Sequence, residues 1–193
     1  IIRGSMHNDL KNVSDHLLVL GLGILAQAQK NALYSSYDTY LDEGVFGVLQ
    51  SAQAAELLIK SFIAQEHPLL IFSNIPKSTS VNGELLSIEH MFEKGATLQY
   101  SELPEKLWAA TGYKVPNIET YKSFGKLRNT IQHFALPNDG TDFRRESVKF
   151  IYEVIDPLMQ HFLSDSAVNY VDIEEPETDI REILSNFGMK VKS

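Results

Sequence analysis

Residues 43–65 run Glu43-Gly44-Val45-Phe46-Gly47-Val48-Leu49-Gln50-Ser51-Ala52-Gln53-Ala54-Ala55-Glu56-Leu57-Leu58-Ile59-Lys60-Ser61-Phe62-Ile63-Ala64-Gln65. Val45, Val48, Leu49, Ala52, Ala55, Leu58, Ile59, Phe62 and Ile63 recur at three- and four-residue steps. That repeat lays apolar side chains along one stripe of an α-helix. Glu56 and Lys60 stand four apart with the acid toward the N-terminus, the order that supports a helix. Pro68 then breaks the pattern, and Leu69-Leu70-Ile71-Phe72 forms a short apolar run before Asn74-Ile75-Pro76. The spacing predicts one long helix from about Glu43 to Gln65.

The same period extends outward in both directions. Toward the N-terminus, Ser14-Asp15 gives a helix start, and apolar or small residues continue to about Leu33, before Tyr34-Ser35-Ser36-Tyr37. Within it, Leu17 to Ala28 imitates a secretory segment ending in Ala-x-Ala, but Asp9, Asp15 and His16 stand where basic residues belong. The run is about half the roughly 20 apolar residues that span a bilayer. It reads as the buried stretch of an amphipathic helix in a cytoplasmic protein with no membrane partner. Ile1-Ile2-Arg3-Gly4-Ser5 reads as tag residue ahead of a native start at Met6.

Toward the C-terminus, residues 73–83 form a polar loop with Pro76 and Gly83 as breakers. Short helices are predicted at about 84–93 and 103–111, the second carrying the only tryptophan, Trp108. Val115-Pro116-Asn117 supplies an N-cap to a helix whose apolar set is Ile118, Tyr121, Phe124, Leu127, Ile131 and Phe134. Leu136-Pro137-Asn138-Asp139-Gly140 stops it. Another long helix runs from near Asp142 to about Leu163, and Pro157 inside it should kink or split it. No stretch alternates cleanly with period two. The fold class is all-α, a bundle of four to five main helices. One helical domain is expected over 6–165, followed by an acidic C-terminal segment, 166–193, with a possible short helix at about 178–187.

Composition narrows the chemistry. At 193 residues, 44% apolar and 22% charged, the chain suffices for one compact domain. With no cysteine, disulfide scaffolds and thiolate chemistry are excluded. The six histidines (7, 16, 67, 90, 133 and 161) are scattered and form no His-Glu-x-x-His. No phosphate-binding glycine loop or nucleophile elbow is present, and no metal or cofactor is expected. The net charge of −8, from 17 basic and 25 acidic residues, argues globally against nucleic acid.

One constellation stands apart from this background. The predicted fourth main helix ends in Lys126-Leu127-Arg128-Asn129-Thr130-Ile131-Gln132-His133-Phe134. On a regular helix Arg128 and His133 lie about 140° apart and roughly 7.5 Å apart along the axis. They converge only if the arginine wraps or the helix ends at the histidine. Asn129 shares a face with His133 and is placed to orient the imidazole, and Gln132 is placed to do the same for Arg128. A fixed cation beside a near-neutral acid/base is a minimal toolkit for phosphodiester transfer within RNA, because RNA carries its own nucleophile. The same two residues also complement a helix C-terminus, with no chemistry implied.

Residues from about 43 to 162 resemble a HEPN domain, the helical family of prokaryotic toxins and antiviral ribonucleases. The family motif of Arg, a polar residue, three to four more and His is matched by Arg128-Asn129-Thr130-Ile131-Gln132-His133. Ala54 to Ile63 followed by Glu66-His67-Pro68 is similar to the first long HEPN helix. The resemblance implies a metal-independent endoribonuclease, a toxin or defence effector, acting as a homodimer and leaving 2′,3′-cyclic phosphate ends. Arg128 and His133 of both copies would line one cleft, with Asn129 in the motif and a cognate antitoxin or other partner protein possible. Where one toxin branch has tyrosine two residues after the histidine, this chain has Ala135. The alternatives are a non-catalytic helical dimer that binds a nucleotide or partner protein, as some HEPN domains are, and a plain helical interaction domain.

Local charge qualifies the inference from net charge. Between Lys114 and Lys149 seven basic residues face four acidic ones, Glu119, Asp139, Asp142 and Glu146, so the segment is +3. Lys122, Lys126, Arg144 and Arg145 are therefore candidate RNA-phosphate contacts. Tyr121 and Phe124 are read as core residues before base-stacking ones. The tail acids are read either as a solvated arm or as a competitor lying near the basic site.

Overall fold

The computed structural model describes residues 8–34, 43–78, 86–137, 139–171 and 180–189. The tag reading of residues 1–5, the start at Met6, part of the polar loop and the acids between 172 and 179 lie outside them. Of the described residues, 76% are helical and 3% are in strands, so the fold is all-α as the periodicity predicts.

The helices are α1 (Asn8–Lys11), α2 (Val13–Leu33), α3 (Glu43–Glu66), α4 (Ile88–Lys94), α5 (Leu103–Thr111), α6 (Ile118–His133), α7 (Phe143–Phe150), α8 (Asp156–Leu163) and α9 (Ile180–Asn186). A π-helical turn, Ile151–Ile155, joins α7 to α8 without a break. Among the described residues no helix is long and apolar enough to cross a membrane. Two strands that the sequence does not announce, β1 (Phe72–Asn74) and β2 (Ala96–Thr97), pair antiparallel with Phe72 opposite Thr97. At three and two residues they are too short to show an alternating pattern.

The chain divides into two compact units, Ile1–Val19 with Leu57–Lys114, and Leu20–Glu56 with Val115–Ser193. In the first, Leu58, Ile59, Phe62, Ile63, Met91, Leu103 and Leu107 are buried. Ser14 is inside the first turn of α2, and its hydroxyl donates to the Ser61 carbonyl at 3.1 Å, so it is a packing contact and not the helix start. His67 accepts from the Leu69 N–H, and His90 forms a capping box with Ser87. Both imidazoles serve turn and helix ends.

The second unit holds the Arg128 segment. Its long element, Phe143 to Leu163, contains Pro157, which has no N–H to give the Glu153 carbonyl four residues before it. Asn117 fills the deficit: its side-chain amide donates to the Glu153 oxygen at 2.8 Å. Asn117 adopts left-handed φ 46° and ψ 54°, whereas a capping side chain needs an extended backbone, so it makes no N-cap bond. The expected cap is thus a link between elements. The Thr120 hydroxyl adds a second link, donating to the Glu153 carboxylate at 2.9 Å. One turn further, Phe124 stacks on Phe150 with ring centroids 3.9 Å apart, and Tyr121 lies 6.2 Å from the same ring. Tyr121, Phe124 and Phe150 are all buried, which bears out the reading of Tyr121 and Phe124 as core.

The C-terminal segment is not a solvated arm where it is described. Leu184 of α9 is fully buried with Ala32, Leu33 and Val148, and Ile180, Ile183 and Phe187 pack against that cluster. The turn Ala167–Tyr170 is held by polar contacts to buried side chains. The Gln29 amide donates to the Ala167 carbonyl at 2.9 Å and accepts from the Tyr152 hydroxyl at 2.7 Å. Asp156 accepts from the Ser166 hydroxyl at 2.7 Å and from the Ala167 N–H at 2.8 Å. Burial, helped by the charge of Asp156, pushes the Tyr152 phenol well above its ordinary range.

Two outcomes are expected for stability, both measurable by urea denaturation. Asn117→Gly removes the bond to Glu153 but tolerates the backbone, and should cost about 1 kcal/mol; Asn117→Ala should cost roughly 1 kcal/mol more. Above about pH 10 the unfolded chain releases the Tyr152 proton while the folded chain keeps it, so stability should fall as pH rises. Tyr152→Phe should flatten that slope.

Candidate functional site

Helix α6 is built in two halves. Its first half is fixed to the long helical element through Asn117, Thr120, Tyr121 and Phe124. Its second half carries the motif outward: Leu127 and Ile131 are half-buried, and Lys126, Asn129, Thr130, Gln132 and His133 are exposed. The helix ends at His133, where the Phe134 and Ala135 N–H groups both donate to the Thr130 carbonyl, at 3.0 and 3.2 Å. Arg128 and His133 both lie within the regular helix, which keeps the separation of about 140° around the axis that their spacing gives.

Arg128 is half-buried, and its Nη1 donates to the Asn129 side-chain oxygen at 2.9 Å. Asn129 therefore holds the guanidinium and not the imidazole, correcting the role expected from i, i+4 spacing. The two groups differ in reach, since the long arginine side chain can turn back to its neighbour while His133 carries its ring on a single methylene. Gln132 makes no hydrogen bond to Arg128. The His133 ring is exposed and has no hydrogen-bond partner among the described residues.

Comparison with protein families, with curated proteins and with solved structures finds no match for this chain. The functional reading therefore rests on the residues of the site itself.

The four basic candidates have unlike surroundings. Lys122 pairs with Glu119 at 3.0 Å on the exposed face of α6. Lys126, one turn on, has an exposed side chain. Arg145 is exposed too; its main-chain N–H donates to the capping Asp142 carboxylate at 3.0 Å, leaving the guanidinium outside. Arg144 behaves differently. Its Nε donates to the Ala32 carbonyl at 2.9 Å and its Nη2 to the Leu33 carbonyl at 2.6 Å, which satisfies the C-terminal end of α2. The Phe187 ring lies 6.0 Å from the same guanidinium. These contacts give Arg144 a structural duty, so it drops out of the phosphate-binding set.

Phe134 is a further departure from the sequence reading. Periodicity assigns it to the apolar face of α6, yet it is 86% exposed, and Leu136 is 47% exposed. Phe134 is the cap residue, with φ −125° and ψ −76°, so the chain has already left the helical path that would carry its ring back to the core. Among the described residues no group of three or more His, Asp or Glu side chains is placed to hold a metal.

The division of labour between neighbouring arginines is directly testable. Arg144→Lys cannot supply two forked donors to α2 and should lose about 1–2 kcal/mol in urea denaturation. Arg145→Gln should change stability by less than about 0.5 kcal/mol.

Proposed function

We propose that the C-terminal end of α6 is the cleavage site of a metal-independent endoribonuclease of HEPN type that works as a homodimer. The observation that carries this reading is that the last turns of one helix carry a guanidinium held by Asn129 and, at the final residue, an exposed imidazole with no hydrogen-bond partner among the described residues. From Thr120 to Pro137 the chain carries Lys122, Lys126 and Arg128 and no acid. The site is therefore locally cationic although the whole chain is at −8. A polyanion is the ligand that such a surface attracts.

The chemistry needs no cofactor. Neutral His133 takes the proton of a ribose 2′-hydroxyl, and the freed oxygen attacks the adjacent phosphorus. The bond from phosphorus to the 5′-oxygen breaks, and that oxygen receives a proton from an imidazolium. The products are a 2′,3′-cyclic phosphate and a 5′-hydroxyl. Arg128, steadied by Asn129, binds the non-bridging oxygens as their charge grows. One imidazole cannot give and take a proton in the same step, so a second copy supplying its own His133 completes the site. Lys126 and Arg145 hold flanking phosphates, and Lys122 does so when the strand displaces Glu119. The HEPN resemblance adds the biological setting, a toxin or defence effector of the cytoplasm with a cognate antitoxin or similar partner.

The test is incubation with single-stranded RNA in excess EDTA. The full chain should cut, and its 5′ fragments should end in cyclic phosphate. His133→Ala and Arg128→Ala should each lower the rate by about 10²-fold or more, in line with loss of an acid/base or a charge-stabilising donor. Asn129→Ala should lower it less, through a looser guanidinium. Cutting that persists in both His133→Ala and Arg128→Ala would place the chemistry elsewhere.

A further inference from the structure

The ring of Phe134 directly follows His133 and is 86% exposed, the most exposed of the large apolar side chains described. Its backbone is nevertheless fixed. The Phe134 N–H donates to the Thr130 carbonyl at 3.0 Å, and the Ala135 N–H reaches the same oxygen at 3.2 Å. A loosely held loop would let the ring fold back onto apolar surface; these two bonds hold its attachment point at the helix end. The ring has no aromatic partner among the described residues, and the next large apolar side chain along the chain, Leu136, is itself half-exposed.

Covering the ring removes apolar area from water, so an occupant that lies on it gains by doing so. Charge selects which one. The segment on which the ring sits carries Lys122, Lys126 and Arg128 with no acid from Thr120 to Pro137. Two copies that share this end of α6 bring like charges together, which a polyanion lying between them neutralises. A single-stranded nucleic acid brings the opposite charge in its phosphates and a flat apolar face in each base.

We propose that Phe134 is a stacking platform for one nucleobase of a single-stranded RNA next to the phosphate held by Arg128. This rests on the ribonuclease reading for the identity of the ligand, and it adds a contact that sets which strand conformation is accepted. An unstacked base can lie on the ring, whereas a base inside a duplex cannot reach it. The site accordingly takes single strands, loops or ends and refuses paired RNA.

The test separates stacking from dimer packing and from catalysis. Binding of a labelled single-stranded RNA of about 12 nucleotides, within the span one such surface covers, is measured on the full chain carrying His133→Ala, so that the strand stays whole. Adding Phe134→Tyr should leave affinity within about twofold, and Phe134→Leu, which keeps an apolar side chain but has no ring face, should weaken it about tenfold. Molecular mass by light scattering should be the same for all three. An unchanged affinity in Phe134→Leu overturns the proposal. A lower mass in Phe134→Leu would make the ring a contact between copies, which also overturns it. A chain with intact His133 that binds RNA and shows the Leu and Tyr contrast but never cuts would refute the ribonuclease reading and leave stacking standing. Cutting and binding that are both unaltered by Phe134→Leu would refute stacking and leave the ribonuclease reading standing. A parent chain that binds no RNA overturns both.

Discussion

Pro157 withholds a donor in the middle of a long helical element, and the Asn117 amide supplies it to the Glu153 carbonyl. A carbonyl left without a partner would cost about as much as a lost hydrogen bond. The requirement therefore ties the start of α6 to one place on the element it packs against. Thr120 reinforces the tie at the same residue, and the stack of Phe124 on Phe150 extends it by a turn. Everything further along α6 inherits its position from these contacts. The motif residues lie beyond the last of them, on the half of the helix that is half-buried or exposed.

The basic residues sort by the same logic. Arg144 and Arg145 are neighbours in sequence, but one turns inward to close the end of α2 and the other remains outside. Charge counting treats them alike, and hydrogen-bond geometry does not. A guanidinium with its donors in a fixed fork suits either two main-chain carbonyls or a phosphate; which of these it meets depends on the tertiary packing of α2 against α7. A similar division separates Asn129 from the role that helical spacing offers it, because the nearer and longer partner, Arg128, takes its oxygen.

Helix positions are legible in the sequence because apolar spacing is a local signal. The predicted spans at 43–65 and 103–111 nearly coincide with α3 and α5, and the helix through Arg128 ends within a residue of expectation. The β1–β2 pair is illegible because two or three residues hold no period. The short helix that the sequence suggests at 178–187 matches α9, but its docking is not legible, because the few apolar residues of a seven-residue helix do not say what they pack against. Phe134 misleads for the opposite reason. It fits the helical period in sequence, but the backbone leaves the helix at that residue, and a period has no meaning past the end of the element that generates it. The motif itself is readable as residue types and spacing, whereas its hydrogen bonds depend on side-chain reach.

The π-helical turn between α7 and α8 bears on how this chain tolerates changes in length. A π turn holds about one residue more than an α turn, so it shifts the phase of all that follows by about 100°. That phase brings the Asp156 carboxylate to Ser166 and Ala167 and sets Pro157 where Asn117 can answer for its missing donor. Losing a single residue from Ile151–Ile155 would thus rotate α8 like a key in a lock while leaving its composition intact. Substitutions in that turn test packing, but a change in its residue count would re-index an entire helix against the rest of its unit.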